Sequence, residues 1–351
     1  RMHARRQHPP HPHSLLPRPN RIDRPLADIR ITQIDGKLPN LALMRIAAWH
    51  IARGDKIHFS RTVTRHLHEP DYAAVYGSAI FKFSEERVRR FMVEFPDAVL
   101  GGTGSGAVSR IEDIEGFEDC GIDYSMYPDF EASIGFLQRG CRLSCKFCVV
   151  PGKEGKPQSV AQVGDIWRGQ GHPKKLHLLD NDFFGNPEWQ DRIDEIRQGR
   201  FKVSFTQGIN VRVMTDEVAA ALKSVEYRDD SFSRRRLYTA WDNLKDEQVF
   251  FRGVDTLERA GVPPSHLMTF MLVGFDKKET WERIFHRFDR MVARGIRPYP
   301  MVFDHTRRDL KKFQRWVVTG LYRAVKWEDY DAGYKTSRAR KDPPQTDLFA
   351  A

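Results

Sequence analysis

Between residues 132 and 306, short apolar runs and amphipathic segments alternate six times, and this alternation restricts the fold more than any other feature of the sequence. Strand-sized runs separated by helical patterns predict parallel strands with helices packed on the sheet. Six such units predict an α/β domain shaped as a partial (β/α)6 barrel of the TIM type, in which ligands bind at the carboxyl ends of the strands. The predicted strands cover residues 133–138, 175–179, 202–206, 236–240, 267–273 and 297–303, and the predicted helices cover 160–168, 187–198, 216–223, 246–260 and 278–294.

A smaller alternation precedes this region and predicts a small Rossmann-like parallel-sheet domain over residues 29–130. Asn40 can cap a helix over residues 41–53, because an asparagine side chain accepts a free N–H group of the first helical turn. A glycine run at 101–106 follows a strand candidate, where such sheets bind ligands, but it lacks the spacing of the dinucleotide fingerprint. A plain loop is the simpler interpretation of that run. The predicted strands cover residues 29–34, 56–59, 72–78 and 98–100.

The remaining segments complete the predicted organisation. Residues 1–28 are rich in Pro, Arg and His without an apolar period, which predicts a disordered basic extension. The barrel is expected to span residues 131–306, and residues 307–330 are expected to form a basic amphipathic helix. Residues 331–351 are predicted to be a disordered polar tail.

Charge is concentrated at the two ends of the chain. The formal net charge is +10, and residues 1–30 carry +5 while residues 305–341 carry +7. Because residues 342–351 carry −2, residues 31–304 are neutral. A neutral body with basic ends fits a catalytic domain that meets a polyanion such as nucleic acid through its extremities. Solvated ends without a partner are the alternative.

Composition excludes several classes of protein. Hydrophobic residues make up 40% of the chain and charged residues 30%, which supports a packed core and excludes global disorder. No apolar run approaches the roughly 18–20 residues of a membrane span, and the N-terminal region has no apolar secretory stretch. Four cysteines are too few for a disulfide scaffold. We therefore expect a cytoplasmic protein that makes no membrane contact and whose cysteines have another role.

Three of the four cysteines crowd into eight positions directly after the first predicted barrel strand. Cys141, Cys145 and Cys148 have C-x-x-x-C-x-x-C spacing, so one short loop supplies three metal ligands. Three thiolates suit a cubane iron–sulfur cluster that leaves one iron open to a small molecule. A structural zinc ion would need a fourth ligand, for which Cys120 or a histidine is the candidate.

Residues 140–152, with Phe147 at the aromatic position before the last cysteine, closely resemble the radical S-adenosylmethionine (SAM) superfamily. Residues 149–159 also resemble the branch that contains methylthiotransferases and cobalamin-dependent radical enzymes. The resemblance covers about residues 130–306 and implies a [4Fe-4S] cluster on the three cysteines. It further implies that a donor such as flavodoxin or ferredoxin reduces the cluster, and that SAM is cleaved to methionine and a 5′-deoxyadenosyl radical, which abstracts a substrate hydrogen.

The same resemblance places cofactor-binding residues at the ends of the predicted strands. After the second strand, many members of the superfamily carry Gly-Gly-Glu to hold the methionine amine. This chain has Asp180 and Asp182 there instead, with Asp182 the better candidate. Polar residues after the third and fourth strands suit the ribose and carboxylate of SAM, and a glycine after the fifth suits its adenine. Helix capping or a loop hydrogen bond is the alternative role of each. These later positions are Gln207, Asn210, Arg212, Asp242 and Gly274.

The N-terminal domain resembles a degenerate cobalamin-binding domain, which commonly precedes this kind of barrel. The sequence has no D-x-H-x-x-G motif, since Asp55 and His58 stand at the wrong spacing. Cobalamin is therefore a possible but disfavoured cofactor. Methylthiotransferases hold a second cluster on three N-terminal cysteines, and only Cys120 is available here, so that activity is disfavoured too.

Near the end of the chain, Gln345, Leu348 and Phe349 closely resemble the Q-x-x-L-F motif that binds the bacterial sliding clamp. Leucine and phenylalanine of such a peptide fill an apolar pocket, and the glutamine adds a directional hydrogen bond. Recruitment to a clamp makes nucleic acid, and DNA in particular, the expected substrate. RNA is the nearest alternative. A peptide or small-molecule substrate, and a non-catalytic zinc-stabilised DNA-associated module, stay open. An inert tail is the alternative to the clamp motif.

Overall fold

The computed structural model describes residues 26–106 and 110–330, which fall into two compact units that divide after Met126. Both units are mixed α/β structures whose main sheets are parallel, which confirms the predicted α/β class. The predicted extension at 1–28, except for its last three residues, and the predicted tail at 331–351 lie outside the described residues. No helix among the described residues combines the length and the apolar character that a membrane span requires.

The first unit is built on a four-stranded parallel sheet. Its elements are β1 (Asp28–Gln33), α1 (Leu41–Ala52), β2 (Lys56–Ser60), β3 (Ala74–Ser78), α2 (Glu85–Glu94) and β4 (Val99–Gly101). The sheet order is β2-β1-β3-β4, so the chain starts inside the sheet and adds strands on both sides. The predicted strands and the helix after Asn40 lie within two residues of these bounds.

The glycine run after β4 packs closely against the segment that follows β3. Gly102 has a φ of +92°, and a Cβ there would lie 2.2 Å from the carbonyl oxygen of Ala79. A Cβ on Gly104 would lie 2.3 Å from backbone atoms of Phe81. Only glycine allows two backbone segments to approach this closely. This packing supports the interpretation of the run as a plain structural loop.

The second unit contains two parallel sheets and one short antiparallel pair. Its strands are β5 (Ser133–Gly135), β6 (Gln138–Arg139), β7 (Gln158–Ser159), β8 (Lys175–Leu178), β9 (Lys202–Phe205), β10 (Glu226–Tyr227), β11 (Leu237–Ala240), β12 (Leu267–Val273) and β13 (Arg297–Val302). Its helices are α3 (Val150–Glu154), α4 (Val163–Ile166), α5 (Trp189–Gln198), α6 (Asp216–Ser224), α7 (Glu247–Arg259), α8 (Trp281–Ala293) and α9 (Arg308–Val318). One sheet has the order β10-β9-β8-β5 and the other has the order β11-β12-β13, while β6 pairs with β7.

The first predicted strand of this unit is shorter than expected. It ends at Gly135 rather than at residue 138, because the N–H groups of Leu137 and Gln138 both donate to the carboxylate of Asp180. A backbone whose N–H groups are taken by a side chain cannot continue a parallel ladder through them. The chain then turns into the antiparallel pair of β6 and β7.

Two predicted helices are also shorter in the structure. The predicted helix at 160–168 contracts to the four residues of α4, while α3 was not predicted. The amphipathic helix predicted within residues 307–330 stops at Val318, and a short 3₁₀ turn at Leu321–Arg323 follows. Gly320 has a φ of +75°, and a glycine in this left-handed conformation ends a helix because it redirects the chain.

Strand residues of the second unit divide between two faces. Leu176 and Leu178 of β8 are buried in the main apolar core together with helix residues such as Ile193. His177 lies between the two leucines, pairs with Ser204 of β9 and lies on the opposite face, as the two-residue period of a strand requires. Burial lowers the pKa of His177 to about 4, so it is neutral at physiological pH. Because β5, β8 and β9 are parallel, the loops that follow them leave the same edge of the sheet.

The cap of α1 provides a stability test for the first unit. Asn40 accepts a hydrogen bond from the N–H of Leu43 at 3.2 Å, and its amide donates to the hydroxyl of Ser78 at 2.9 Å. We expect Asn40→Ala to lower the free energy of unfolding by about 1–2 kcal/mol, because the cap and a buried partner are lost together. Asn40→Ser keeps the cap alone and should lose less. Urea unfolding measures both, and an unchanged N40A variant would contradict the assignment.

Candidate metal centre at the cysteine loop

The cysteine loop, residues 140–149, lies between β6 and α3. Cys141 and Cys145 are partly buried, Cys148 is exposed, and all three thiols are free of disulfides. The N–H of Cys148 donates to the carbonyl of Cys145 at 3.0 Å, and the N–H of Leu143 donates to Cys141 Sγ at 3.4 Å. Burial raises the pKa of the Cys141 thiol, and the nearby sulfurs of Cys148 and Cys145 add to that rise. The three thiols are therefore near enough to interact electrostatically.

The donor set has the chemistry of a three-cysteine iron–sulfur site. Three thiolates can hold a cubane with one open iron, whereas a structural zinc ion takes four protein ligands. Across residues 26–106 and 110–330, no group of three or more His, Cys, Asp or Glu side chains is close enough together to hold a metal ion. The loop therefore supplies suitable ligands, and its thiols have to move toward one another to bind a cluster.

Asp180, at the end of β8, holds the chain just before the cysteine loop. Its Oδ1 accepts the N–H groups of Leu137 at 2.8 Å and Gln138 at 2.6 Å, while its Oδ2 is buried without a partner. Burial raises the pKa of this carboxyl to about 7, and the two N–H groups oppose the rise. Asp180 is thus a buried anchor of the backbone that leads into the cysteine loop.

Asp182 holds the cysteine loop through Arg142, the residue that follows Cys141. Its Oδ2 accepts from Nε of Arg142 at 2.8 Å, and its Oδ1 accepts from Nη2 at 2.9 Å. The N–H of Arg142 also donates to Oδ2 at 2.9 Å. Both oxygens of the buried Asp182 carboxylate are therefore engaged in a bidentate ion pair, which is a geometrically specific contact. The role of Asp182 at the methionine amine of SAM stays a prediction.

Glu154, in α3, provides a third attachment that the sequence pattern did not single out. Its carboxylate accepts the N–H of Gly140 at 3.0 Å and pairs with Arg139 at 2.9 Å. The side chain of Asn181 donates to the same carboxylate at 3.1 Å. The residues Asp180, Asn181 and Asp182 therefore all contribute to holding the cysteine loop. A helix of five residues is too short to show a period, so the sequence gives no signal for Glu154.

Arg212 is a predicted residue that contacts a cysteine sulfur. Its Nη2 lies 3.7 Å from Cys145 Sγ, and its Nη1 lies 3.2 Å from the carboxylate of Asp246. Asn210 accepts the N–H of Arg212 at 3.2 Å and so caps the 3₁₀ turn that carries it. Arg212 can therefore stabilise negative charge on the sulfur of Cys145, while Asn210 has the capping role named above as its alternative.

Asp242 and Gly274 belong to a second network, at the ends of β11 and β12. Asp242 accepts the N–H of Leu272 at 3.1 Å, and the N–H of Gly274 donates to Glu279 at 2.9 Å. Burial raises the pKa of Asp242, and the nearby positive charges of Arg287 and Arg212 oppose that rise. Asp242 is therefore within electrostatic reach of the arginine that contacts Cys145.

Arg287 is the centre of this second network and was not predicted. It is buried, it donates to the carbonyls of Trp241 and Leu272 at 2.9 Å each, and it pairs with Glu279. A signal for it exists in the sequence, because Arg287 falls at helical spacing within the apolar stripe of α8. A charged residue on a buried helix face requires partners, and here they are strand-end carbonyls.

The remaining predicted site residues differ in where the structure places them. Gln207 is exposed. The structure brings Asp180, Asp182 and Arg212 to the cysteine loop, but places Gly274 in the network around Arg287. The predicted clamp-binding residues lie outside the described residues and are Gln345, Leu348 and Phe349.

The raised pKa of Asp180 predicts a pH-dependent stability. The folded carboxyl keeps its proton up to about pH 7, whereas an unfolded one loses it near the ordinary value of 3.8. The unfolded state then binds fewer protons, so stability falls as pH rises between these values and is level above them. We expect the free energy of unfolding of wild type to fall relative to Asp180→Asn by up to about 1.4 kcal/mol per pH unit in this window. Urea unfolding of both proteins at several pH values from 4.5 to 8 measures this difference. A difference in free energy of unfolding that does not change with pH would contradict the prediction.

No family model, curated protein or solved structure matches this chain. The interpretation of the site therefore rests on its own residues and contacts.

Proposed function

We propose that this protein is a radical SAM enzyme that binds a [4Fe-4S] cluster through Cys141, Cys145 and Cys148. The observation that carries the proposal is a loop with three free cysteines that buried carboxylates hold to the end of a parallel strand. When bound, such a cluster supplies the electron that cleaves SAM and so generates the 5′-deoxyadenosyl radical.

We further propose that the two sheets of the second unit form one partial (β/α)6 barrel. Strands β5, β8 and β9 lie in chain order in one sheet, and β11, β12 and β13 lie in chain order in the other. The N–H of Ile209, after β9, donates to the carbonyl of Tyr238 in β11 at 2.8 Å. This bond connects the two sheets, and the short β10 pairs only with the first half of β9. The arrangement supports a curved, continuous set of six strands.

The residues around the loop have distinct tasks in this proposal. The carboxylates of Asp180 and Asp182 fix the backbone on either side of Cys141, and Arg212 donates to the sulfur of Cys145. A hydrogen bond to a cluster sulfur favours the reduced state of the cluster. Gln207 and Asp242 are polar groups available for the ribose and carboxylate of SAM. A flavodoxin or ferredoxin would supply the electron. We also propose that the protein is cytoplasmic.

Nucleic acid, and DNA in particular, is the substrate class we propose. The loop and α3 together carry Arg142, Lys146, Lys153 and one acid, Glu154, so this segment of the chain is basic. Helix α9 adds exposed or partly exposed cations on the side away from its buried stripe. Basic surfaces favour a polyanionic partner. RNA, or a peptide or small molecule, would replace DNA if DNA nucleosides are unaltered in cells that express the protein.

Cobalamin remains disfavoured in this proposal. In the first unit, Nδ1 of the buried His50 lies 2.7 Å from Asp55, and its Nε2 lies 3.1 Å from the hydroxyl of Tyr76. His58 is paired with Asp28. Both histidines therefore already have partners that compete with a cobalt ion.

The clamp motif predicts a direct physical interaction. We expect the full-length protein to be retained on an immobilised bacterial sliding clamp, because Leu348 and Phe349 fill its apolar pocket. The double variant Leu348→Ala/Phe349→Ala should lose retention, while Asp347→Ala, at a variable position of the motif, should keep it. Absence of wild-type retention would overturn the clamp proposal but not the radical chemistry.

Anaerobic reconstitution with iron and sulfide tests the proposed chemistry. We expect a brown protein with about four irons per chain that releases 5′-deoxyadenosine from SAM under dithionite, as measured by mass spectrometry. Cys145→Ala should lose the cluster and this product, yet keep its free energy of unfolding to within about 1 kcal/mol, because Cys145 is only partly buried.

Cys120→Ala is the matched control, since this exposed cysteine lies outside the loop and should leave both readouts unchanged. The zinc-stabilised DNA-associated module would instead be supported if the protein were colourless and held one zinc ion, and if the Cys145→Ala substitution unfolded it.

A further inference from the structure

Three exposed apolar side chains of the second unit adjoin the cysteine loop or its contacts, in sequence or through ring contacts. Among the described residues of this unit, four large hydrophobic side chains are exposed, namely Val149, Val160, Val213 and Phe303. Val149 directly follows Cys148, and Val213 directly follows the arginine that contacts Cys145. Single exposed hydrophobic residues are common, but several around one polar site indicate a surface that a ligand covers.

Phe303 is connected to the cysteine loop through a row of aromatic rings. The ring of Phe147 lies 5.5 Å from that of Phe275, and the ring of Phe275 lies 4.9 Å from that of Phe303. Both pairs are edge-to-face, a geometry that stabilises aromatic contacts. The N–H of Phe303 also donates to the carbonyl of Val273 at 2.9 Å. Phe303 is therefore held through its backbone and its ring is packed against Phe275, although 52% of its surface is exposed.

Cations without ion-pair partners flank this aromatic row in the sequence. Lys146 precedes Phe147, Lys277 follows Phe275 by two residues, and Arg308 begins the helix after Phe303. All three are exposed, and none has a carboxylate partner among the residues that the structure describes. By contrast, the neighbouring Arg307 is neutralised by Asp309 at 2.5 Å. Along the chain, the aromatic row is thus accompanied by exposed cations, with the acids Asp276 and Asp304 beside them.

We propose that Phe303 is a stacking platform for an unpaired base of single-stranded DNA, whose phosphates are bound by Lys146, Lys277 and Arg308. Base stacking on an exposed aromatic ring combined with backbone contacts from nearby cations is the general physics of single-strand binding. A fixed ring stacks at a low entropic cost because it is already immobile. This inference rests on the proposed function, since it names the substrate class of the same site.

Fluorescence anisotropy with a labelled single-stranded DNA oligonucleotide tests the platform on the reconstituted protein. We expect Phe303→Ala to weaken the Kd about 5- to 150-fold, and Phe303→Trp to preserve it, because stacking is worth about 1–3 kcal/mol per base. Phe83→Ala is the matched control, because Phe83 is an exposed phenylalanine of the first unit that also contacts another ring. It should bind like wild type.

Salt dependence tests the phosphate contacts separately. Replacing Lys277 and Arg308 with Gln should reduce the slope of log Kd against log salt by about 0.7 for each contact removed. Iron content and urea unfolding of F303A should match wild type. An F303A variant that binds DNA like wild type would overturn the platform, and so would one that loses iron, because the ring would then belong to the cluster site. If the protein bound duplex DNA as tightly as single-stranded DNA, the proposal that the base is unpaired would be overturned.

The platform and the proposed function can fail independently. If wild type releases 5′-deoxyadenosine while F303A binds DNA normally, only the platform is wrong. If wild type releases none while DNA binding depends on Phe303, the platform stands and the radical chemistry is wrong.

Discussion

The cysteine loop depends on carboxylates that accept backbone N–H groups of the loop and of the residues just before it. The N–H groups of residues 137 and 138 donate to Asp180, that of residue 140 donates to Glu154, and that of residue 142 donates to Asp182. An irregular loop has no ladder to satisfy its backbone, so each of these groups would otherwise need water or another partner. The carboxylates therefore fix the position of Cys141 relative to the end of β8. Everything proposed for the site requires that position to be well defined.

Such anchoring has an electrostatic cost that the surrounding arginines reduce. Asp182 is paired with Arg142 and Glu154 with Arg139, so both carboxylates are compensated by an arginine of the loop or of the residue just before it. Asp180 has no arginine partner among its hydrogen bonds, and burial of its carboxyl raises its pKa. A buried ion pair contributes little net stability compared with apolar packing. Its value here is that a bidentate geometry permits one arrangement of the loop and few others.

The sequence predicted where the elements lie better than it predicted what the polar residues do. The strand at Leu267–Val273 was predicted with its exact bounds, because a long apolar run between turn signals has few alternatives. The early end of α9, at Val318, could also have been predicted from Gly320. Asp182 shows the limit: an aspartate at a strand end looks the same whether it binds a ligand or an arginine forty residues earlier in the chain. Only the tertiary contacts distinguish the two roles, and local patterns could pair neither Arg142 with Asp182 nor Arg139 with Glu154.

The cysteine loop is held on one side and open on the other, and this asymmetry separates the two functional interpretations. Toward β8 and α3, three carboxylates accept backbone N–H groups of the loop and of the strand before it. Two of them also form ion pairs with Arg139 and Arg142. Its other described contacts include the guanidinium of Arg212 and the ring of Phe275, and exposed apolar residues stand nearby. A structural zinc ion is enclosed by its ligands and needs no exposed apolar surroundings. A catalytic cluster needs rigid support for its ligands together with an accessible face for a small molecule and a substrate. The arrangement around Cys141, Cys145 and Cys148 therefore supports the proposed catalytic cluster more than the structural zinc ion.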